Sequence, residues 1–177
     1  MTAIAEATAP YALDAEQGVT DLWWPYGPAV GRYIVKAAAE QTGGRMVQMV
    51  VRDSRGAGTP LHTHLDADES FYVISGELVI HVGDERFEAR AGDYVFAPMG
   101  IPHAFSVKSE NAELFVSFAG AGTDGPLGTG VDGFFKEVAT PVVPGGAPPQ
   151  PAMPDVAEFG RLMAVYGIEL VGPPPAH

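Results

Sequence analysis

The stretch Gly56–Gly76, GAGTPLHTHLDADESFYVISG, places His62, His64 and Glu69 within a short span. In an extended strand, side chains two positions apart share a face, so both imidazoles point the same way. The LDAD segment before the glutamate predicts a turn or bulge between short extended pieces. Imidazole nitrogens and carboxylate oxygens are common ligands of divalent transition metals. The stretch therefore predicts part of a metal site.

A second stretch, Gly92–His103 (GDYVFAPMGIPH), supplies a third histidine. Its two prolines and Gly100 leave the loop few conformations to lose on folding, so it can hold His103 firmly. A single histidine, or a His-x-His pair alone, most often marks an ordinary packed or surface residue. Four candidate ligands in two glycine-bounded blocks are a far more specific pattern. We therefore predict that one divalent metal is bound by His62, His64, Glu69 and His103.

Three imidazoles and one carboxylate leave one or two coordination positions for water, oxygen or substrate. The same set accepts Fe, Mn, Ni, Co, Cu or Zn, so the sequence does not distinguish among these metals. Glu69 is also the candidate catalytic residue, because a carboxylate that moves on and off the metal can act as a base.

Short apolar segments separated by glycine turns run through the chain, with no long helical period before residue 130. This pattern predicts an all-β barrel or jelly roll. We expect a turn at residues 41–44. The predicted strands are Tyr33–Ala38, Arg45–Arg52, Glu69–Ile74, Glu77–Val82, Arg86–Ala89, Tyr94–Ala97 and Glu113–Ala119.

Alternation along two of these segments predicts the interior of the barrel. Glu69, Phe71 and Val73 share one face, as do His103, Phe105 and Val107. His81 has the opposite parity to its apolar neighbours, so we interpret it as a surface residue. The candidate substrate-binding residues are Phe71, Val73, Phe105, Gln48 and Met46.

Both blocks resemble the motifs of the cupin family. The first has the form G-x5-HxH-x4-E-x6-G and the second the form G-x5-PxG-xx-H, with every fixed position present. The family pattern continues to an asparagine four residues later, where this chain has Val107. The run Pro60–Leu78, the pair Phe134-Phe135 and the segment Tyr166–Ile168 are similar to small bacterial quercetinase-like cupins.

This resemblance implies a cupin jelly-roll β-barrel with an N-terminal arm and short C-terminal helices. It implies a metal-dependent dioxygenase acting on an aromatic, flavonol-like or polyketide-like small molecule, and a homodimer. Two other classes remain open: a metal-dependent isomerase, cyclase or decarboxylase that uses no oxygen, and a non-catalytic small-molecule or metal-binding cupin. No arginine or lysine has the inward parity beside the ligands, and acidic or phosphosugar substrates usually need one.

The composition narrows the class further. The 177 residues include no cysteine, which excludes disulfides and a cysteine-based zinc site. With 22 acidic and 10 basic residues the net charge is −12, so nucleic acid and anionic membranes are not expected partners. The start of the sequence lacks the pattern of a signal peptide, and no stretch has the ~20 apolar residues of a membrane span. We expect a cytoplasmic protein.

The organisation along the chain is expected to have three parts. Residues 1–20 predict an extended or flexible arm, residues 21–119 the barrel with an aromatic arm segment, and residues 120–177 a Gly/Pro-rich loop with a helical tail packed on the barrel. The aromatic segment Asp21–Pro28 is expected to pack on the barrel or a partner subunit, or else to form a wall of the substrate pocket.

Within the last part, the loop Gly120–Gly133 could be a lid or an inert excursion. We predict helices over Phe134–Val138 and Asp155–Tyr166, with Pro154 at or near the first position of the second. The apolar face of that second helix is expected on the barrel exterior or against a neighbouring subunit. Its members are Val156, Phe159, Leu162, Met163 and Tyr166.

Overall fold

The computed structural model describes residues 9–120 and 131–174, so residues 1–8 of the expected arm, most of the Gly120–Gly133 loop and the last three residues lie outside it. The strands are β1 (Thr20–Trp24), β2 (Gly31–Ala37), β3 (Met46–Ser54), β4 (Leu61–His64), β5 (Ala67–Ser75), β6 (Glu77–Val82), β7 (Glu85–Arg90), β8 (Tyr94–Ala97), β9 (His103–Val107), β10 (Asn111–Gly120), β11 (Thr140–Pro141) and β12 (Ile168–Gly172). The helices are α1 (Ala39–Thr42), α2 (Val131–Val138) and α3 (Val156–Val165).

The strands form two antiparallel sheets. One has the order β11-β1-β2-β3-β10-β5-β8, and the other has the order β12-β4-β9-β6-β7. The inner faces of both sheets contribute to one apolar core. This arrangement confirms the predicted all-β jelly roll.

Buried and exposed residues alternate along β5 as the sequence predicted. Glu69, Phe71 and Val73 of β5 are buried, whereas Tyr72 and Ile74 between and beyond them are exposed. The buried members of β9, among them His103, Phe105 and Val107, follow the prediction as well. The two sheets therefore carry the candidate ligands on their inner faces.

In β3, the residues predicted to line the pocket, Met46 and Gln48, lie on the face opposite to the core. Val47, Met49 and Val51 are buried in the core, while Met46 is 39% exposed and Gln48 is half-buried on the other face. The segment RMVQMVVR has apolar residues on both parities, so its sequence alone does not define the inner face.

Strand β12 has no counterpart in the prediction, which ended the fold at a helix. Gly167 ends the helical segment at a φ of +70°, and the chain then pairs with β4 so that Ile168 lies opposite His64 and Leu170 opposite His62. The sequence pattern of this strand is weak, because it has five residues and only two of them, Ile168 and Leu170, are apolar residues that face the core. Because of β12, the strand that carries two candidate ligands lies inside its sheet, not at its edge.

The other helices and turns differ in smaller ways. The predicted turn at residues 41–44 contains the end of α1, which stops at Gly43 with a φ of +64°. Helix α2 begins at Val131, three residues before the predicted start. Asp155 caps α3 by accepting the backbone N–H groups of Ala157 and Glu158, so Pro154 precedes the cap.

The apolar face of α3 is narrower than predicted. Val156 is 67% exposed, whereas Met163 is buried and Phe159 packs against the core. The tail does more than cover the barrel, because β11 is a strand of the larger sheet and β12 is a strand of the smaller one. None of the helices within residues 9–120 and 131–174 has the length and apolar character needed to span a membrane.

Candidate metal centre

Three strands, two from the smaller sheet and one from the larger, bring the four predicted ligands together. His62 and His64 lie on β4, Glu69 on β5, and His103 is the first residue of β9, where it pairs directly with His62. One potential ligand atom from each residue lies within 4.8 Å of the others. All four side chains are buried. Residues that span 41 positions of the chain, from His62 to His103, thus form one compact cluster.

The carboxylate of Glu69 lies at the centre of the cluster. Its Oε2 atom is 2.8 Å from Nε2 of His103, 3.1 Å from Nε2 of His64 and 3.9 Å from Nε2 of His62. All three imidazoles therefore present the same ring nitrogen to one point. Ligand atoms at about 2.0–2.2 Å from a shared divalent ion have similar mutual separations.

Backbone carbonyls fix the orientation of two of the rings. Nδ1 of His62 lies 2.9 Å from the carbonyl oxygen of Pro60, and Nδ1 of His103 lies 2.8 Å from that of Ile101. A carbonyl can only accept, so each Nδ1 carries the proton and donates it. Each Nε2 is then the atom available to a metal, which is the usual outer-shell arrangement of metal-binding histidines.

The charges of the cluster are strongly coupled. Burial alone would raise the pKa of Glu69, but hydrogen bonds from His103 and His64 outweigh burial and hold that pKa far below its ordinary value. Burial likewise opposes charge on His103, yet the hydrogen bond and negative charge of Glu69 raise its pKa. Burial, together with the positive charge of the other two histidines, lowers the pKa of His62 to about 3.

These features fit a divalent metal. The site offers a carboxylate that stays ionised at neutral pH, a neutral His62, and imidazole nitrogens of defined tautomer. The proton that His103 shares with Glu69 is one that a metal would displace. The four residues could hold one metal ion, and the donor set does not identify which.

A cavity of about 60 Å³ opens onto this cluster. His62, His64 and Glu69 form its polar end, and almost all of its remaining wall is apolar or aromatic. The wall includes no lysine or arginine among the described residues. The remaining lining residues are Trp24, Tyr33, Met49, Val51, Thr59, Pro60, Phe105, Val116, Phe118, Val131, Phe134, Phe135, Phe159, Met163 and Ile168.

The predicted substrate-binding residues occupy different positions. Phe105 lines the cavity. Phe71 and Val73 lie in the core outside the cavity wall, with the Phe71 ring 6.4 Å from the His103 ring. Gln48 is on the opposite face of β3. Met46 lines only a separate space of about 20 Å³ next to His64. The neighbouring Met49 and Val51 take the places predicted for Met46 and Gln48.

An aromatic cluster lines the cavity on the side of the helices. The centroid of the Trp24 ring lies 5.2 Å from that of Tyr33, on which it stacks, and 5.6 Å from that of Phe135, which it meets edge-on. The ring centroids of Phe134 and Phe159 are 5.3 Å apart. Of the two roles considered for the aromatic segment, Trp24 takes that of a cavity wall. The prediction missed the contribution of α2 and α3, because an apolar helix face does not reveal which part of a barrel it covers.

The comparisons with known proteins agree with this fold. Residues 49–118 match the cupin domain family, a range that contains all four candidate ligands. Residues 49–118 are therefore similar to a cupin domain, and the described residues form a single jelly roll that includes them.

Two solved structures share the fold. A protein from Thermotoga maritima, described as a predicted oxalate decarboxylase, has a TM-score of 0.56 and 17% identity, covering 62% of this chain and 99% of its own. An RmlC-like cupin from Shewanella frigidimarina has a TM-score of 0.52 and 17% identity, covering 68% and 98%. At this identity the similarity shows the fold alone.

A curated relative from Methanocaldococcus jannaschii, an uncharacterized protein, is 33% identical over 48 residues, 27% of this chain and 38% of its own length. Another uncharacterized protein, from Streptomyces coelicolor, is 36% identical over 52 residues, 29% of this chain and 50% of its own. The chain thus spans at most half the length of these two relatives.

Proposed function

We propose that this protein is a metal-dependent dioxygenase acting on a small, uncharged aromatic or polyketide-like molecule that carries a hydroxyl or enol group. The observation that carries the proposal is the combination of a three-histidine, one-glutamate cluster with an aromatic-walled cavity. When bound, the metal would supply a coordination position for a substrate oxygen and redox or Lewis-acid chemistry beside it.

The cavity wall favours a neutral substrate. A carboxylate or phosphate moved into this cavity would lose its hydration and find no arginine or lysine among the described wall residues to replace it. Planar rings, in contrast, can stack against Trp24 and pack on Phe105 and Phe134. This contrast favours an aromatic substrate over acidic or phosphosugar substrates.

In this proposal Glu69 accepts the proton of the substrate hydroxyl when it moves off the metal. Its carboxylate is ionised and buried, and the histidines hold its oxygen at the end of the cavity. The aromatic wall excludes bulk water and orients the ring, so that the hydroxyl faces the carboxylate. Glu69 is therefore the catalytic base in this proposal, as well as a ligand.

The size of the cavity adds a condition. A space of about 60 Å³ holds a few water molecules and not a bicyclic ring system. A larger substrate must displace the side chains that α2 and α3 contribute, among them Phe134, Phe159 and Met163. Substrate entry in this proposal therefore requires a movement of α2 and α3 relative to the sheets.

Oxygen uptake tests the proposal. We expect metal-loaded protein to consume oxygen in proportion to the loss of a flavonol or diketone from a panel, and the His64→Ala variant to consume none. His81→Ala is the matched control, because His81 is a histidine outside the site and should leave the rate unchanged. Uptake that persists in His64→Ala would contradict the metal mechanism.

Two other results would redirect the assignment. Conversion of a substrate at the same rate without oxygen would favour a metal-dependent isomerase, cyclase or decarboxylase. Tight metal or ligand binding with no conversion across the panel would favour a non-catalytic cupin. Either result would overturn the dioxygenase proposal while leaving the metal site in place.

We also propose that two copies associate through the outer face of the larger sheet. A row of paired positions crosses four strands there, Val50–Phe115–Tyr72–Tyr94, and Tyr72 and Tyr94 are strongly exposed. The row carries no charge on a chain whose net charge is −12, and it ends at β8, the edge strand of the sheet. An uncharged aromatic surface next to an open edge suits a second copy of the same chain.

The mass of the protein in solution tests this association. We expect light scattering to give a dimer for the wild type and a monomer for Tyr72→Glu, because a buried carboxylate would lack a partner at the interface. Phe87→Glu, at an exposed aromatic on the smaller sheet, should remain dimeric. A wild-type monomer at high concentration would contradict the proposal.

A further inference from the structure

A hydrogen bond joins the metal cavity to a second opening in the barrel. The second opening is a cleft of about 420 Å³ whose wall includes Arg32, Arg52, Asp53 and Glu113. Tyr33 lines the metal cavity, and its hydroxyl donates to Oδ2 of Asp53 at 3.3 Å, at the long end of the range for such a bond. The two residues therefore form a connection between the metal cavity and the more open cleft.

Asp53 is an unusual residue for the position it occupies. Its side chain is buried at 6% exposure, and among the described residues it accepts a hydrogen bond from the neutral phenol of Tyr33 and forms no ion pair with a cation. The nearby arginines are engaged elsewhere: Arg32 pairs with Asp21 and Glu16, and Arg52 with Glu16 and Glu113. A buried carboxylate without a cationic partner is costly in its charged form.

The backbone is shaped to admit this carboxylate. A Cβ added to Gly31 would lie 2.1 Å from Oδ1 of Asp53, so any side chain at that position would displace it. Gly31 and Tyr33 lie on the same face of β2, two positions apart, and together they enclose the carboxyl group. The structure thus gives Asp53 a fitted place next to the phenol.

The chemistry at Glu69 creates a need for such a connection. A proton taken from a substrate hydroxyl must leave a cavity whose walls are mostly hydrocarbon. Thr59, another hydroxyl on the wall, has its oxygen engaged as acceptor of the Phe105 backbone N–H. Apart from the metal ligands, Tyr33 is the titratable side chain among the described residues of the wall.

We propose that Tyr33 and Asp53 form a proton path from the metal cavity to the solvent-filled cleft. A cavity water carries the proton from Glu69 to the Tyr33 oxygen, and the original phenol proton passes at the same time to the Asp53 carboxylate. Asp53 then releases that proton to water in the cleft, and rotation of the phenol O–H restores the starting state. One proton enters and one leaves, with no oxidation or reduction.

The acid strength of Asp53 suits this exchange. Burial raises its pKa to about 6, with the Tyr33 hydrogen bond acting in the opposite direction. The groups that face it are Tyr33 from β2 and the charged residues of the cleft wall, Arg32, Arg52 and Glu113, which are engaged in ion pairs. Near neutral pH the carboxyl group can both take up and release a proton.

Proton release during metal loading tests the path without requiring turnover. Metal binding expels protons from the ligands, and an indicator dye follows their arrival in solution after rapid mixing of metal-free protein with Co²⁺. We expect Tyr33→Phe and Asp53→Asn to release the same number of protons as the wild type, but slower by roughly tenfold or more. Tyr72→Phe, a phenol on the outer face, should match the wild type.

The two variants also separate proton transfer from a purely structural role. Phenylalanine keeps the ring stacked on Trp24, and asparagine still accepts the Tyr33 hydroxyl, so the packing of the wall is retained in both. An Asp53→Asn variant with the wild-type rate would show that Asp53 only braces Tyr33 and would overturn the proposal. Added formate should restore the rate in Asp53→Ala, and absence of this rescue would also count against the path.

The inference rests on the proposed metal site, but the outcomes remain distinguishable. If the protein loads metal and the variants release protons more slowly, as expected, but no substrate is oxidised, the dioxygenase proposal is contradicted and the proton path is supported. Unchanged release rates in an active enzyme would do the reverse. Protein that takes up no metal would overturn both.

Discussion

Replacing His62 by alanine is expected to reduce metal affinity by at least about a hundredfold, so that purified protein carries well under one metal ion per chain. The variant removes one of three imidazole ligands, and the remaining cluster keeps the buried charge of Glu69 with one fewer donor around the ion. Elemental analysis and titration calorimetry of wild type and variant measure the effect directly.

The control for this variant is His81→Ala, which removes a histidine outside the cluster and should bind metal normally. Metal should also raise the midpoint of thermal unfolding of the wild type, because a ligand that binds only the folded state stabilises it. The His62→Ala variant should show little such increase at the same metal concentration. Full metal occupancy in the variant would contradict the assigned ligand set.

Asp53→Asn is expected to make the protein more stable above pH 7, by roughly 1–3 kcal/mol in the free energy of unfolding. The pKa of Asp53 is about 6 in the folded chain, against 3.8 ordinarily, so the folded state binds the proton more tightly than the unfolded state. The free energy of unfolding therefore falls as the pH rises from about 4 to about 6. Above that range the folded protein must bury a charge, which asparagine avoids while still accepting the Tyr33 hydroxyl.

Denaturant unfolding at pH 4 and pH 8 measures this difference. The gain from Asp53→Asn should be large at pH 8 and nearly absent at pH 4, where the wild-type carboxyl group is protonated. Asp84→Asn, in the exposed turn between β6 and β7, should change stability little at either pH. If the variant is less stable than the wild type at pH 8, the charged carboxylate of Asp53 stabilises the folded protein. That result would contradict the expectation that its burial is destabilising.

Together, the two Asp53 experiments ask why the chain keeps a buried carboxylate. If asparagine gives a more stable protein that releases protons slowly, the cost in stability accompanies a gain in function. Such a trade is typical of residues at functional sites. The same substitution thus tests one physical argument by two independent measurements.

The metal cluster was predictable because its information is local. His62, His64 and Glu69 lie within eight residues, and the period of two in β5 and β9 fixes which side chains face inward. His103 lies beyond that span, but the proline-rich loop before it marks its position. The structure adds the role of the Pro60 and Ile101 carbonyls, which set the tautomers and have no side-chain signal.

The cavity wall was less predictable because it depends on contacts distant in sequence. Strand β12 pairs with β4 about a hundred residues away, and no local pattern in IELVG specifies that partner. Phe134, Phe159 and Met163 were recognisable as apolar, but which part of the barrel they cover is decided by tertiary packing. In β3, apolar residues on both parities left Gln48 and Met49 indistinguishable until the inner face was known.

The metal site is tested most directly by anomalous diffraction from crystals of metal-loaded protein, recorded at the absorption edge of the bound metal. The proposed ligand set predicts one strong peak per chain, within about 2.0–2.2 Å of Nε2 of His62, His64 and His103 and of a carboxylate oxygen of Glu69, at the end of the aromatic cavity. A metal bound elsewhere on the chain, or no peak at this position in protein that contains stoichiometric metal, would contradict it.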